Sequence, residues 1–308
     1  MTDNYWDYAG ICIFVCTFVL FTAMKKLISL IHDIAIVPSF SSYEDRIHDL
    51  ILTLMKLVPG VVWYRVPDNN LVFFVPGDES RAPVALTAHL DKINHFGPSA
   101  PDELPFEYEE ERLVGQLDNA VGLALCIALA QIGAGRSFPP LTLLFSEMEE
   151  SFGLKRHPHL LKNNGKGLHH GIGAERISKF LIREKMLPST AITLDTTPLF
   201  KGKPGIALYS GHWEFTGQEP TEKERELTDR VRDEFLSIDP DMLLSNNTND
   251  YLHYGAELNR DRVSSIPSLA LEPAIFPYHQ KNEAVFIQDI ERVYNIMIRW
   301  LEYAGQCN

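Results

Sequence analysis

Cysteine is scarce, basic residues are outnumbered, and no segment repeats. Four cysteines, Cys12, Cys16, Cys126 and Cys307, occur in 308 residues. Apart from the first pair they lie far from one another, in no zinc-ligand spacing and no disulfide framework, which points to a reducing compartment. Lysine and arginine number 28 against 41 aspartates and glutamates, for a formal net charge of −13. That balance argues against non-specific nucleic-acid binding, whose footprint is a basic surface, so no nucleic-acid partner is expected. Bound metal would offset part of the acidity. No low-complexity tract or linker divides the chain. Hydrophobic residues make up 45%, enough for a full core, and the length suits one large α/β domain or two small ones.

Charge is also missing from Tyr8 to Met24, a run of 17 residues rich in Phe, Val, Ile and Leu. It is at the short limit for a membrane-spanning helix. A signal peptide fits poorly, because Asp3 and Asp7 precede the run where positive charge belongs. Lys25 and Lys26 follow it, so as an anchor it would leave the main domain in the cytoplasm. A helix packed on the domain is an equal reading, and so is a true start at Met24-Lys25-Lys26-Leu27. The chain therefore divides into an apolar segment, residues 1–24, and a globular domain, residues 25–308.

In that domain Leu27, Leu30, Ile31 and Ile34 recur at helical spacing. Ser42 is placed to cap a second helix, with Glu44 and Asp45 in its first turn. Val61 to Val66 and Leu71 to Val75 read as paired strands across the turn Pro67-Asp68-Asn69-Asn70. Beyond them, short apolar strands at Val84 to Ala88, Leu141 to Phe145, Ala191 to Leu194 and Ser268 to Leu271 are expected. Helices are expected at Asp118 to Ile132, Ile177 to Met186, Glu222 to Leu236 and Ile287 to Tyr303. This alternation predicts an α/β fold with a mixed, largely parallel central sheet and helices on both faces.

Metal-type side chains fall at the ends of these strands or at a helix start. His89 and Asp91 follow one strand, and Asp118 opens a helix. Glu149 and Glu150 follow the strand at Leu141 to Phe145. Asp195 ends another strand, and His279 precedes the closing helix. Adjacent carboxylates at a core boundary repel each other and resist desolvation, and a bound cation removes both difficulties. In open α/β sheets these strand ends are where ligands bind. Between Lys155 and Lys185, His157, His159, His169 and His170 fit no tight ligand spacing. Together with Lys155, Arg156, Lys162 and Lys166 they read as a basic loop beside an acidic cleft.

The order His-x-Asp, Asp, Glu-Glu, Asp, His resembles the co-catalytic zinc exopeptidases, in particular their single-domain aminopeptidases, over about Leu27 to Tyr303. The resemblance implies two divalent ions, zinc first and manganese or cobalt as alternatives. His89 and Asp195 would hold one ion, Glu150 and His279 the other, and Asp118 would bridge them. Glu149 would be the general base acting on a water shared by the metals, and Asp91 would orient His89. The peptide after Asp118 would be cis. Asn249 and Asp250 resemble the family's substrate-side loop, and Lys155 and Arg156 are further substrate candidates. The interval from Asp195 to His279 is too short for a separate lid or dimerisation domain. The implied reaction is cleavage of an amide bond, foremost a terminal peptide bond, with peptide or acyl-amino-acid substrates. An N-acyl amino-acid deacylase or carboxypeptidase is the alternative within the clan, with a glutaminyl-cyclase-like activity behind it. A catalytically inactive binding module is the alternative outside it. The pattern leaves the side-chain preference and the oligomeric state open.

Overall fold

The structure, a computed structural model, describes residues 22–133, 135–150, 152–216, 219–245, 250–261 and 264–304. Most of the apolar run from Tyr8 to Met24 lies outside them. Among the described residues, no helix is long and apolar enough to cross a membrane.

The first described helix, α1, covers residues 22–35. Met24, Leu27, Leu30, Ile31 and Ile34 form its buried stripe, as their spacing requires. The helix thus runs straight through Lys25 and Lys26, where charge returns after the apolar run. Its last carbonyls are closed by Lys92, whose buried Nζ donates to the carbonyls of Ile34 at 3.2 Å and Val37 at 3.0 Å. Burial pulls that ammonium down to about 7. Helix α2 is Asp45–Met55. Ser42 does not cap it. Ser42 sits in the left-handed region (φ 69°), and its hydroxyl accepts from the Lys162 amide at 2.9 Å.

A hairpin follows, β1 (Val62–Val66) antiparallel to β2 (Asn70–Val75). The sheet then gains β3 (Val84–His89), β6 (Leu141–Ser146), β7 (Thr190–Leu194), β8 (Ile206–Tyr209), β9 (Leu243–Ser245) and β10 (Ser268–Pro273). Its order is β1-β2-β6-β3-β7-β10-β8-β9. The four middle strands, β6, β3, β7 and β10, are mutually parallel. They are buried along their whole length, which is why they read as unbroken apolar runs and not as alternating ones. A three-stranded sheet, β11-β5-β4, stands beside it, built from β4 (Glu107–Tyr108), β5 (Arg112–Gly115) and β11 (Glu283–Phe286). The sequence did not announce this small sheet, nor β8 and β9.

Helices cover both faces. On one lie α1, α2, α3 (Ala120–Gly133), α7 (Glu222–Ile238) and α9 (Ile287–Tyr303), whose apolar residues join those of β3 and β6 in the larger core. On the other, α5 (Ile172–Glu184) and α8 (Asp250–Leu258) pack with Val72, Ala85 and Leu144. Short helices α4 (Phe152–Arg156) and α6 (Trp213–Thr216) lie in connections. The described residues form no separate lid domain.

Chain order against sheet order places the topological switch between β3 and β7. The connection after β3 leads to β6 on one side, and that after β7 leads toward β10 on the other. Ligands bind at the carboxyl ends flanking such a switch. Helix α3 is pressed against this point. A Cβ on Gly122 would collide with the backbone carbonyl of Leu194 and the side-chain oxygen of Asn119. Gly122→Ala is therefore expected to cost about 1–3 kcal/mol through overpacking and to displace the turn that carries Asp195. Urea unfolding would measure the loss.

Candidate metal centre

The predicted residues meet at the carboxyl ends of the parallel strands. His89 ends β3, Glu149 and Glu150 follow β6, Asp195 follows β7, Asp118 precedes α3, and His279 lies between β10 and β11. His89, Asp118 and Glu150 are buried and bring ligand-type atoms within 4.8 Å of one another. Asp118 faces two ways. Its Oδ1 is 3.1 Å from His89 Nε2, and its Oδ2 is 3.7 Å from His279 Nε2. On the first side Asp195 Oδ1 is 3.7 Å from the same His89 nitrogen. On the second, Glu150 Oε2 is 3.4 Å from the same His279 nitrogen. Glu149 Oε2 lies 3.9 Å from His89 Nε2. The Asp118–Asn119 peptide is cis.

Asp91 does more than orient a ring. His89 Nδ1 lies 2.9 Å from the Asp91 backbone carbonyl and 3.4 Å from its carboxylate. The two carboxylate oxygens accept the amides of Glu149 at 3.0 Å and Glu150 at 3.1 Å. Ser41 Oγ donates to the same group at 2.7 Å. The aspartate therefore ties the end of β3 to the turn after β6.

Charge density dominates the centre. Burial opposes a charge on His89, yet Asp195, Asp118 and Asp91 hold its pKa well above the usual imidazole range. Burial works against Asp118 as well, but the hydrogen bond and charge of His89, with His279, hold it low. Glu150 is pushed well up by burial and by Asp118 and Glu149. Glu272, at the end of β10, is raised by burial and by Asp195 and Asp118. Glu283 is raised by burial and by Asp118. Carboxylates this close and this dry favour a shared cation, and two imidazoles with carboxylates form a donor set that suits a divalent ion such as zinc. Tyr278 stacks on His279 with ring centres 3.6 Å apart.

Three further acids serve the site from outside, and the sequence signalled them weakly. Glu147 is buried, and its carboxylate receives Asn70 Nδ2 at 2.7 Å, Arg176 at 2.6 Å and the amides of Asp68 and Asn69. Glu44, expected only as a helix-start charge, accepts the Met148 amide at 3.2 Å and Asn69 Nδ2 at 2.8 Å. Burial and the charges of Asp91 and Glu147 push it up to about 8. Met148 itself is left-handed, with φ 57°. Glu283 accepts the amides of Leu117 and Asp118. Its only cue was its place just after His279.

The basic loop divides. Lys162 pairs with Asp45 at 2.7 Å, and His170 Nδ1 is 2.5 Å from the Glu149 carbonyl. Lys155 and Arg156 are exposed at the end of α4. Of the substrate-side pair, Asp250 is the first residue of α8, and Asn249 lies outside the described residues.

Neither protein-family models nor curated protein sequences yield a match to this chain. Solved structures do share its fold. An aminopeptidase from the archaeon Desulfurococcus kamchatkensis superposes with a TM-score of 0.63 at 15% identity, over 91% of this chain and 96% of its own. A Staphylococcus aureus tripeptidase matches at 0.62 and 12% identity, over 92% of this chain and 99% of its own. A Thermotoga maritima protein named as an endoglucanase matches at 0.57 and 13%, over 89% and 96%. The chain thus has a fold found in aminopeptidases of the expected class. That fold carries more than one assigned activity, so the chemistry must be argued from the site.

The bonding of Glu147 sets a test of the motif's register. Glu147→Gln leaves Arg176 without its buried anionic partner, a loss of about 1.5–3 kcal/mol for a hydrogen bond to a charged group. It should lower the thermal midpoint while bound metal, measured by elemental analysis, is unchanged.

Proposed function

We propose that the chain is a two-metal aminopeptidase that removes residues from the free amino end of peptides. The two-way placement of Asp118 carries this reading, because a carboxylate with one oxygen toward His89 and Asp195 and the other toward His279 and Glu150 is arranged to join two cations. His89 and Asp195 would hold one ion, Glu150 and His279 the other, and Asp118 both. Zinc suits the donors, with manganese or cobalt as substitutes. Bound there, such ions would supply an activated water and polarise the scissile carbonyl.

The chain's own groups do the rest. Glu149 follows the same turn as Glu150, and its carboxylate would take a proton from the attacking water and return it to the leaving amine. Asp91 holds both glutamates by their amides, so base and ligand keep a fixed spacing. Ionised around two divalent cations, Asp91, Asp118, Glu149, Glu150 and Asp195 would still leave the centre one charge negative. That excess complements the ammonium of a free amino terminus. A carboxypeptidase or N-acyl amino-acid deacylase must instead hold a carboxylate next to the cut bond. The cations close in sequence to the site residues are otherwise engaged, Lys92 under α1 and Lys281 over the Phe96 ring at 4.5 Å. Lys155, Arg156, Asn249 and Asp250 are the proposed outer substrate contacts, the two basic residues acting on acidic side chains by long-range attraction.

Elemental analysis and a panel of aminoacyl, peptidyl and acyl-amino-acid substrates test the proposal. Two ions per chain and turnover of substrates with a free amino end are expected. One ion or none in wild type, or turnover confined to acylated substrates, would sink it. Asp118→Ala should remove more metal than any other single ligand change. Glu149→Gln should keep both ions and lose about 10²–10⁴-fold in kcat, whereas Glu150→Gln should lose metal and activity together.

The apolar residues ahead of α1 are proposed as a membrane attachment that leaves the catalytic unit in the cytoplasm. A truncation that leaves every described residue of α1 in place ends at residue 21. A chain lacking residues 1–21 should partition into the soluble fraction and keep full activity, whereas a chain cut within α1 should lose stability. Continued membrane association of the chain lacking residues 1–21 would refute the attachment role.

A further inference from the structure

Between the Asp118 turn and the His279 loop lies a buried group to which the proposed chemistry gives no role. Glu283 stands four residues after His279, at the start of β11, where it pairs with Gly115 of β5. It is 3% exposed. Its Oε2 accepts the Leu117 amide at 2.9 Å and the Asp118 amide at 3.2 Å. Glu283 also ends the short loop that carries His279. One residue therefore ties the peptide that carries Asp118 to the end of the loop that carries His279.

We propose that Glu283 is a positioning residue that locks these two elements together and so sets the geometry at both proposed metal positions. Two successive amides on one oxygen fix both the direction of the Asp118 backbone and the place where its side chain leaves it. His279 is reached from the far side of β10 and has a left-handed backbone, with φ 55°. Among the residues of the centre its side chain is the most exposed, at 36%. It is the member with least help from the sheet, and Glu283, at the end of the same loop, supplies that help by tying the loop to the Asp118 turn. Because Asp118 faces both positions, slack at Leu117 and Asp118 weakens both, whereas loss of His279 weakens one.

The inference rests on the two-metal reading, and its test separates the two. Full-length wild type, Glu283→Gln, Glu283→Ala, Glu283→Asp and His279→Ala are titrated with zinc against a chromogenic chelator. In parallel, the metal-free chains are followed by deuterium exchange over the segment containing Leu117 and Asp118. Groups that orient ligands typically cost about 10–100-fold in metal affinity when removed. Glu283→Gln is expected to lose about tenfold at both positions and Glu283→Ala more, with part recovered in Glu283→Asp, while His279→Ala weakens one position only. Exchange at Leu117 and Asp118 should quicken in metal-free Glu283→Gln, with its thermal midpoint close to that of wild type. Unchanged affinity in Glu283→Gln, or a loss that follows general unfolding of the metal-free chain, would overturn the inference. If Glu283→Ala does not fold, Glu283→Gln and Glu283→Asp carry the comparison. Fewer than two ions on wild type would instead defeat the functional reading, and the exchange measurement would still decide whether Glu283 holds the Asp118 turn.

Discussion

The structure depends on how it tolerates concentrated negative charge. Asp91, Asp118, Glu150, Asp195, Glu272 and Glu283 are all buried at one end of four parallel strands. Two like charges about 4 Å apart repel by about 4 kcal/mol even at an effective dielectric constant of about 20. Burial and this repulsion push the carboxyls of Glu150, Glu272 and Glu283 up, a direction that favours proton uptake as partial relief. Divalent cations relieve it far more completely. A cluster that is costly for an empty fold is what gives a metal centre its affinity, because folding has already gathered the ligands.

The acids divide by what they face. Asp118, Glu150 and Asp195 point their oxygens at imidazole nitrogens across the centre. Asp91, Glu44, Glu147 and Glu283 turn theirs to backbone amides. Around the turn after β6 this is nearly complete: Asn70 takes the amide of residue 147, Glu44 that of 148, and Asp91 those of 149 and 150. A loop without regular secondary structure thereby acquires a rigidity that strands get from a ladder. Rigidity matters here because the proposed reaction gives the two adjacent glutamates different tasks, and a slip of one residue would exchange them.

The residues that meet in the centre were legible in the sequence because their chemistry is conspicuous. Acids and histidines at the ends of apolar runs conflict with burial and so demand a reason. The parallel core was equally legible, since its strands are apolar on both faces. What escaped is what carries no such conflict. The strands β4, β5 and β8 are too short for a period to show, and β9 has three residues. Ser42 has the composition of a helix cap and is used otherwise, because the side chain of Glu44 folds back onto the Ser42 amide at 2.8 Å. The clamping role of Glu44 is set by partners about 100 residues away in sequence, at Met148, and no local pattern encodes that.

Exposure gives the centre a direction. Side-chain exposure is 1% for His89, 4% for Glu150 and 6% for Asp118 and Asp195. It rises to 14% for Glu149 and 36% for His279. Solvent therefore reaches the centre on the side where Glu149 and the most exposed imidazole stand, with Tyr278 stacked against that imidazole. A base must meet water and then the leaving group, so exposure suits the role proposed for Glu149. A ligand must stay fixed, so exposure is a liability for the role proposed for His279. The fold meets that liability from behind, with an aromatic ring on one face and, four residues on, a buried carboxylate anchored to the same peptide that carries Asp118. The open side of the site is thus the side on which the chain spends its extra restraints.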